Sequence, residues 1–117
     1  MSREKQLMSE REWHFFLDDM AKFAERVISY SQGLSREDFE SNSLSYDAIA
    51  RNIELIGEAA THIPDDVRAS NPDIPWRQII ATRNQLIHGY LGIDNDVLWS
   101  IVRDDIPLLL RQIQKLK

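Results

Sequence analysis

The stretch Trp13-His14-Phe15-Phe16-Leu17-Asp18-Asp19-Met20-Ala21-Lys22-Phe23-Ala24-Glu25-Arg26-Val27 sets the fold class. Trp13, Phe16, Leu17, Met20, Phe23, Ala24 and Val27 recur at steps of three and four residues, one face of an amphipathic helix. The pattern extends from Arg3 to about Ser31. Gly33 suits a C-terminal cap, and Ser35-Arg36-Glu37-Asp38 has the Ser-x-x-acid form that opens a short helix.

Outward from this segment the same periodicity returns. Ile49, Ile53, Ile56 and Ala60 stripe a second long helix from near Ser45 to His62. Pro64 stops it, and Pro64-Asp65-Asp66-Val67 can open a short helix with proline in its first turn. After the turn-rich Asn71-Pro72-Asp73-Ile74-Pro75, a third substantial helix is predicted over Trp76 to His88, with Gly89 and Gly92 bracketing a tight exit. Asp94 or Asp96 can cap a last helix carrying Val97, Leu98, Ile101, Val102, Leu109, Ile113 and Leu116. Pro107 lies inside it, so a kink or a break into two helices is expected there. No alternating run is long enough for a strand. The expectation is one all-α domain over 1–117, four main helices in a bundle with short helical turns.

Composition narrows the function classes. The 117 residues hold 14 Lys+Arg against 19 Asp+Glu, a net charge of −5, which argues against a basic protein that coats nucleic acid. A helix-turn-helix DNA binder is disfavoured for the same reason, since no helix carries a row of basic residues. With no cysteine, thiolate metal sites, disulfides and cysteine nucleophiles are excluded. No apolar run approaches a membrane span, and no secretory signal opens the chain, so it reads as cytoplasmic.

One window departs from the average. Ile74 to Ile93 contains no acidic residue, yet holds Arg77, Arg83 and His88. The two arginines give it +2, leaving −7 for the rest of a chain whose total is −5. Such an island is a footprint for a phosphate or a short RNA segment. Within it stands Thr82-Arg83-Asn84-Gln85-Leu86-Ile87-His88-Gly89-Tyr90. Asn84 and His88, four apart, share a helix face, and Arg83 lies about 100° round with a side chain long enough to swing toward them. Gly89 lets the chain turn after the histidine, and Tyr90 projects from the exit.

Arginine, asparagine, histidine and tyrosine without acidic neighbours suit cleavage of an RNA phosphodiester without a metal. Histidine can take the 2′-hydroxyl proton or protonate the leaving 5′-oxygen. Arginine can hold the phosphate and offset charge on its oxygens, and asparagine can orient the imidazole or the substrate. One copy supplies one such histidine, whereas acid and base are both needed; a symmetric dimer would supply two. Each residue also has an ordinary structural use, the histidine as a helix-end cap and the tyrosine as a rim aromatic.

Arg83-x4-His88-x-Tyr90 resembles the Arg-x4-His-x-Tyr motif of HEPN-domain ribonucleases, specifically the HepT-type toxins of MntA–HepT toxin–antitoxin systems. The flanks resemble that family too: Arg51-Asn52-Ile53-Glu54-Leu55-Ile56-Gly57-Glu58-Ala59-Ala60, Ile74-Pro75-Trp76, Gly89-Tyr90-Leu91-Gly92-Ile93-Asp94, Leu98-Trp99 and Asp105-Ile106-Pro107. The likeness runs from about Phe15 to Leu110. It implies a HEPN-like up-and-down bundle of four to five helices that forms a homodimer, with both motifs at a shared cleft. It implies a metal-independent endoribonuclease acting on RNA without a cofactor, with Arg83 and His88 catalytic and Asn84 assisting. It also implies an MntA-type nucleotidyltransferase antitoxin that silences the toxin by transferring AMP to Tyr90. Arg77, Arg51 and Glu58 are candidates for support. Arg51 and Glu58, seven apart, share a face, and a partly buried Glu58 is expected to pair with an arginine, for structure rather than catalysis. The alternative is a non-catalytic helical subunit that docks a nucleotidyltransferase.

Overall fold

The computed structural model describes residues 3–89 and 93–117, with side chains from Glu10 onward. Among these residues there is no strand. Helix α1 spans Arg3–Ser31, α2 Arg36–Ser41, α3 Ser43–Ala60, α4 Asp65–Ser70, α5 Trp76–His88, α6 Asn95–Ser100 and α7 Ile106–Leu116. Ile101–Asp105 forms a π-helical turn joining α6 to α7. Helix α1 packs along α3 and α7, and α3 packs along α5 on another side. The segment from α6 to α7 completes a four-part arrangement around one core.

Local sequence explains the boundaries. Gly33 has φ +79°, the left-handed conformation that lets the chain leave α1, and Leu34 N–H donates to Ser31 C=O at 3.0 Å. Ser35 and Asp38 form the expected reciprocal capping box. Helix α3 begins two residues before Ser45, because the Asn42 side chain caps it by accepting from Ser45 N–H, and it ends at Ala60 rather than His62. Pro64 precedes α4 as its N-cap instead of entering the first turn. Asp94, not Asp96, caps α6 and accepts from Asp96 N–H at 2.7 Å.

Pro107 marks the expected break into two helices, α6 and α7, with the π-helical turn Ile101–Asp105 between them. It sits in the first turn of α7, where a missing N–H is tolerated, and the preceding turn widens so that Ile106 N–H donates to Ile101 C=O.

The core is a single cluster. Leu17, Met20, Ala24 and Val27 of α1 are fully buried with Ile49 of α3, Phe39, Leu98 and Ile113. Each fully buried large aliphatic or aromatic side chain contributes about 1.5–3 kcal/mol relative to exposure. Helix α5 is fixed at its start by Trp76, which is buried and whose Nε1–H donates to Asn71 C=O at 3.0 Å. Gln112 Nε2 of α7 donates to Asp73 C=O at 2.8 Å, tying the same turn to the last helix. These anchors set the height at which the arginine and histidine of α5 are presented. None of the described helices is long and apolar enough to cross a membrane.

Candidate active site

The site begins at the crossing of α3 and α5. Gly57 lies where the two backbones meet: a Cβ there would stand 2.2 Å from Arg83 Cβ, 2.9 Å from Arg83 Cγ and 3.1 Å from Ile79 C=O. Only glycine allows this approach. The base of the Arg83 side chain therefore lies against the α3 backbone, and its guanidinium emerges beside the next residue of α3, Glu58.

Arg83 Nη2 donates to Glu58 Oε2 at 2.5 Å, and Arg83 Nη1 donates to Asn84 Oδ1 at 2.8 Å. Arg83 Nε is buried and has no hydrogen-bond acceptor among the described residues. The Arg83 side chain is 26% exposed and Glu58 48%. The guanidinium is thus held on two sides yet reachable from solvent. A charge-assisted pair of this kind fixes direction well, although its half-exposed carboxylate keeps its energetic contribution modest.

Glu58 was expected to be partly buried; it is half exposed instead, because it projects from the edge of α3 rather than into the core. Its expected arginine partner is Arg83. Arg51 does not reach it and instead donates to Glu54 Oε1 at 2.8 Å. The acid-free window of the sequence is consequently not acid-free in space, since Glu58 enters it from another helix and offsets the charge of Arg83.

The second oxygen of Glu58 faces His62, in the turn that follows α3, with Nε2 3.8 Å from Oε1. The His62 ring stacks on Phe16 of α1, centroids 4.3 Å apart and planes 12° apart. Sequence reasoning passed over His62, Phe16 and Gly57 as site residues. The Glu58-x3-His62 spacing carried a signal for the first, because i,i+4 places both on one helix face.

His88 occupies the last turn of α5, exposed, and among the described residues no hydrogen bond or ion pair engages it. Asn84 shares its face as the spacing requires, but its oxygen is taken by Arg83. The structure thus gathers Arg83, Asn84 and Glu58, and leaves His88 facing solvent four residues beyond Asn84. Gly89, expected to turn the chain, has φ 172°, extended backbone open to any residue, with nothing near its Cβ position. Arg77 is exposed in the first turn of α5, beside a shallow concavity shared with Arg68, Pro72 and Trp76, and is not brought to Arg83. Tyr90 and Gly92 lie outside the described residues. Among the described residues no three His, Asp or Glu side chains converge on a common ion position.

A family model described as "Ribonuclease HepT-like" matches residues 20–116. The chain belongs to the ribonuclease HepT-like family. It is 38% identical over 102 residues to a protein of Thermococcus cleftensis named "Probable ribonuclease HepT", covering 87% of this chain and 93% of that one. It is 36% identical over 107 residues to a "Putative RNase" of Methanocaldococcus jannaschii, covering 92% and 98% respectively. A protein of the same description from Caldanaerobacter subterraneus is 31% identical over 101 residues, covering 86% and 90%. No solved structure matches the chain. The HepT-like match spans the α3–α5 crossing, the Arg83–Glu58 pair and His88 together.

Proposed function

We propose that this HepT-like chain is a metal-independent endoribonuclease whose site is completed by a second copy of itself. The observation that carries this reading is Arg83, a guanidinium aimed by Glu58 and Asn84, still partly exposed, on the helix that ends in a solvent-facing His88. Family membership supports the reaction class.

In this reading the RNA phosphate approaches the Arg83 guanidinium, joining or displacing Glu58. One His88 takes the proton of the ribose 2′-hydroxyl, and the freed oxygen attacks phosphorus. The bond to the 5′-oxygen breaks, and that oxygen leaves with a proton from the His88 of the second copy. The products are a 2′,3′-cyclic phosphate and a 5′-hydroxyl. Arg83 offsets the charge that develops on the non-bridging oxygens. The homodimer follows from this chemistry, because one copy offers one exposed histidine at the end of α5.

The chain further reads as the toxin of a toxin–antitoxin pair, with a nucleotidyltransferase antitoxin that transfers AMP to the Tyr90 hydroxyl. The added phosphate would lie two residues from His88 and compete with RNA for the same cationic group.

The test is cleavage of labelled RNA by the purified chain in excess EDTA. Activity in chelator, 2′,3′-cyclic phosphate ends, and loss of both in Arg83→Ala and His88→Ala are expected. Cleavage that disappears in chelator, or that persists in His88→Ala, overturns the reading. Tight binding of a nucleotidyltransferase with no cleavage of any RNA would favour the non-catalytic docking subunit. A mass gain of one or more AMP units on Tyr90 after co-expression with that partner tests the regulation.

A further inference from the structure

A second concavity adjoins the arginine site along the α1–α3 edge. It is lined by Phe15, Phe16 and His62, with Arg11 and Glu12 at its rim. Three features distinguish it from a patch of leftover core. Its floor is aromatic and ordered, since His62 lies flat on Phe16 and Phe15 meets Phe16 edge-on at 6.0 Å and 85°. Its outer wall is unsatisfied: Phe15 is 62% exposed, although α1 has a well-buried stripe elsewhere. It is also continuous with the catalytic arginine, through Phe16 on His62, His62 beside Glu58, and Glu58 on Arg83.

The helix spacing builds the rim. Arg11 stands one turn before Phe15, and Glu12 one turn before Phe16, so a cation and a carboxylate flank the ring surfaces. Flat π surfaces with one donor and one acceptor at the edge fit a nucleobase, whose faces are apolar and whose edge carries both donors and acceptors. An acidic protein gains little from coating RNA with charge, so stacking is the contribution this face can make.

Resting on the ribonuclease reading above, we propose that the Phe15–Phe16–His62 pocket is a base-stacking subsite that holds an unpaired RNA base next to the phosphate carried by Arg83. It selects single-stranded RNA, because only an unpaired base can turn its face onto the exposed Phe15 ring beside the Phe16–His62 stack.

The test uses the full-length chain carrying His88→Ala, so that RNA is not consumed, and a fluorescein-labelled single-stranded oligoribonucleotide read by anisotropy. Adding Phe15→Ala is expected to weaken binding about tenfold, and Phe15→Trp to restore it. Leu44→Ala, a still more exposed apolar change on α3, is the control and leaves affinity unchanged. On an abasic oligonucleotide of the same length the Phe15→Ala effect should vanish. Unchanged affinity in Phe15→Ala, or an equal loss on abasic RNA, overturns the subsite. So does a shift from dimer to monomer in sedimentation of Phe15→Ala with RNA affinity per dimer retained, which would make this face an interface between copies. Wild-type cleavage is measured alongside. Normal cleavage with an inert Phe15→Ala sinks the subsite alone, whereas neither binding nor cleavage sinks it together with the proposed function.

Discussion

Arg83 on α5 and Glu58 on α3 stand 2.5 Å apart across a helix crossing that only Gly57 makes possible. The pair does two opposed things. It aims the guanidinium, and it neutralises the charge that RNA would meet. Removing that carboxylate should separate the two effects. In Glu58→Gln we expect RNA to bind several-fold more tightly and the salt dependence of binding to steepen by about one phosphate contact. Turnover at saturation should fall, because the freed guanidinium samples more directions. Thermal stability should change by less than about 1 kcal/mol, as befits a half-exposed ion pair. Anisotropy titrations at several salt concentrations, with single-turnover cleavage, check all three.

Gly57→Ala should be the most damaging single-methyl change in the chain. The added carbon would overlap Arg83 Cβ and press on the Ile79 carbonyl. Neither neighbour is the far end of a flexible chain, so α3 and α5 must part. We expect a loss of about 1–3 kcal/mol in urea unfolding, with cleavage impaired even in the fraction that remains folded. Unaltered stability would mean that the two helices are free to slide.

His88 and Arg83 should fail differently. His88→Ala removes the proposed proton-transfer group, whose side chain has no hydrogen bond or ion pair among the described residues, so we expect cleavage to drop about 10²–10⁴-fold with RNA affinity nearly intact. Arg83→Ala should lower both, because in the proposed mechanism the same group anchors phosphate and offsets charge. Parallel loss of binding in both variants would argue that His88 holds RNA rather than moves protons.

Asp105 offers a pH handle on the fold. It lines the rim of an apolar groove with Ile53, Ile56, Ile79 and Ile106. Burial, reinforced by the like charge of Asp104, holds its carboxyl above the ordinary value. The fold therefore favours the protonated form. That contribution is complete below the ordinary carboxyl pKa and is lost as pH rises through the raised one. Asp105→Asn should raise Tm slightly at pH 7 and leave it unchanged near pH 3, measured by circular dichroism.

Much of this was legible in the sequence because the signals were local. The turn-rich stretch 71–75 before Trp76 and Gly89 after His88 bounded α5 correctly, since turn residues and caps act within a turn or two. Ser35 with Asp38 and Gly33 likewise announced their geometry. The site was half legible for the same reason. Arg83, Asn84 and His88 lie on one short helix and could be read together. Glu58 lies 25 residues away from Arg83, and its place beside the guanidinium depends on the height at which two helices cross. The Phe16–His62 stack is further still from any local rule, because it joins α1 to the end of α3. Pro107 announced the break between α6 and α7, whereas the π-helical form of the join carried no local signal.

The widened turn at Ile101–Asp105 is a store of slack in the second half of the chain. One surplus residue is held there, and each residue of helix is worth about 100° of rotation. Deleting one of the five would let the turn relax to ordinary pitch with Leu109 and Ile113 still facing the interior. Deleting a residue between Leu109 and Ile113 has no such reserve to draw on and would rotate Ile113, a fully buried side chain, toward solvent.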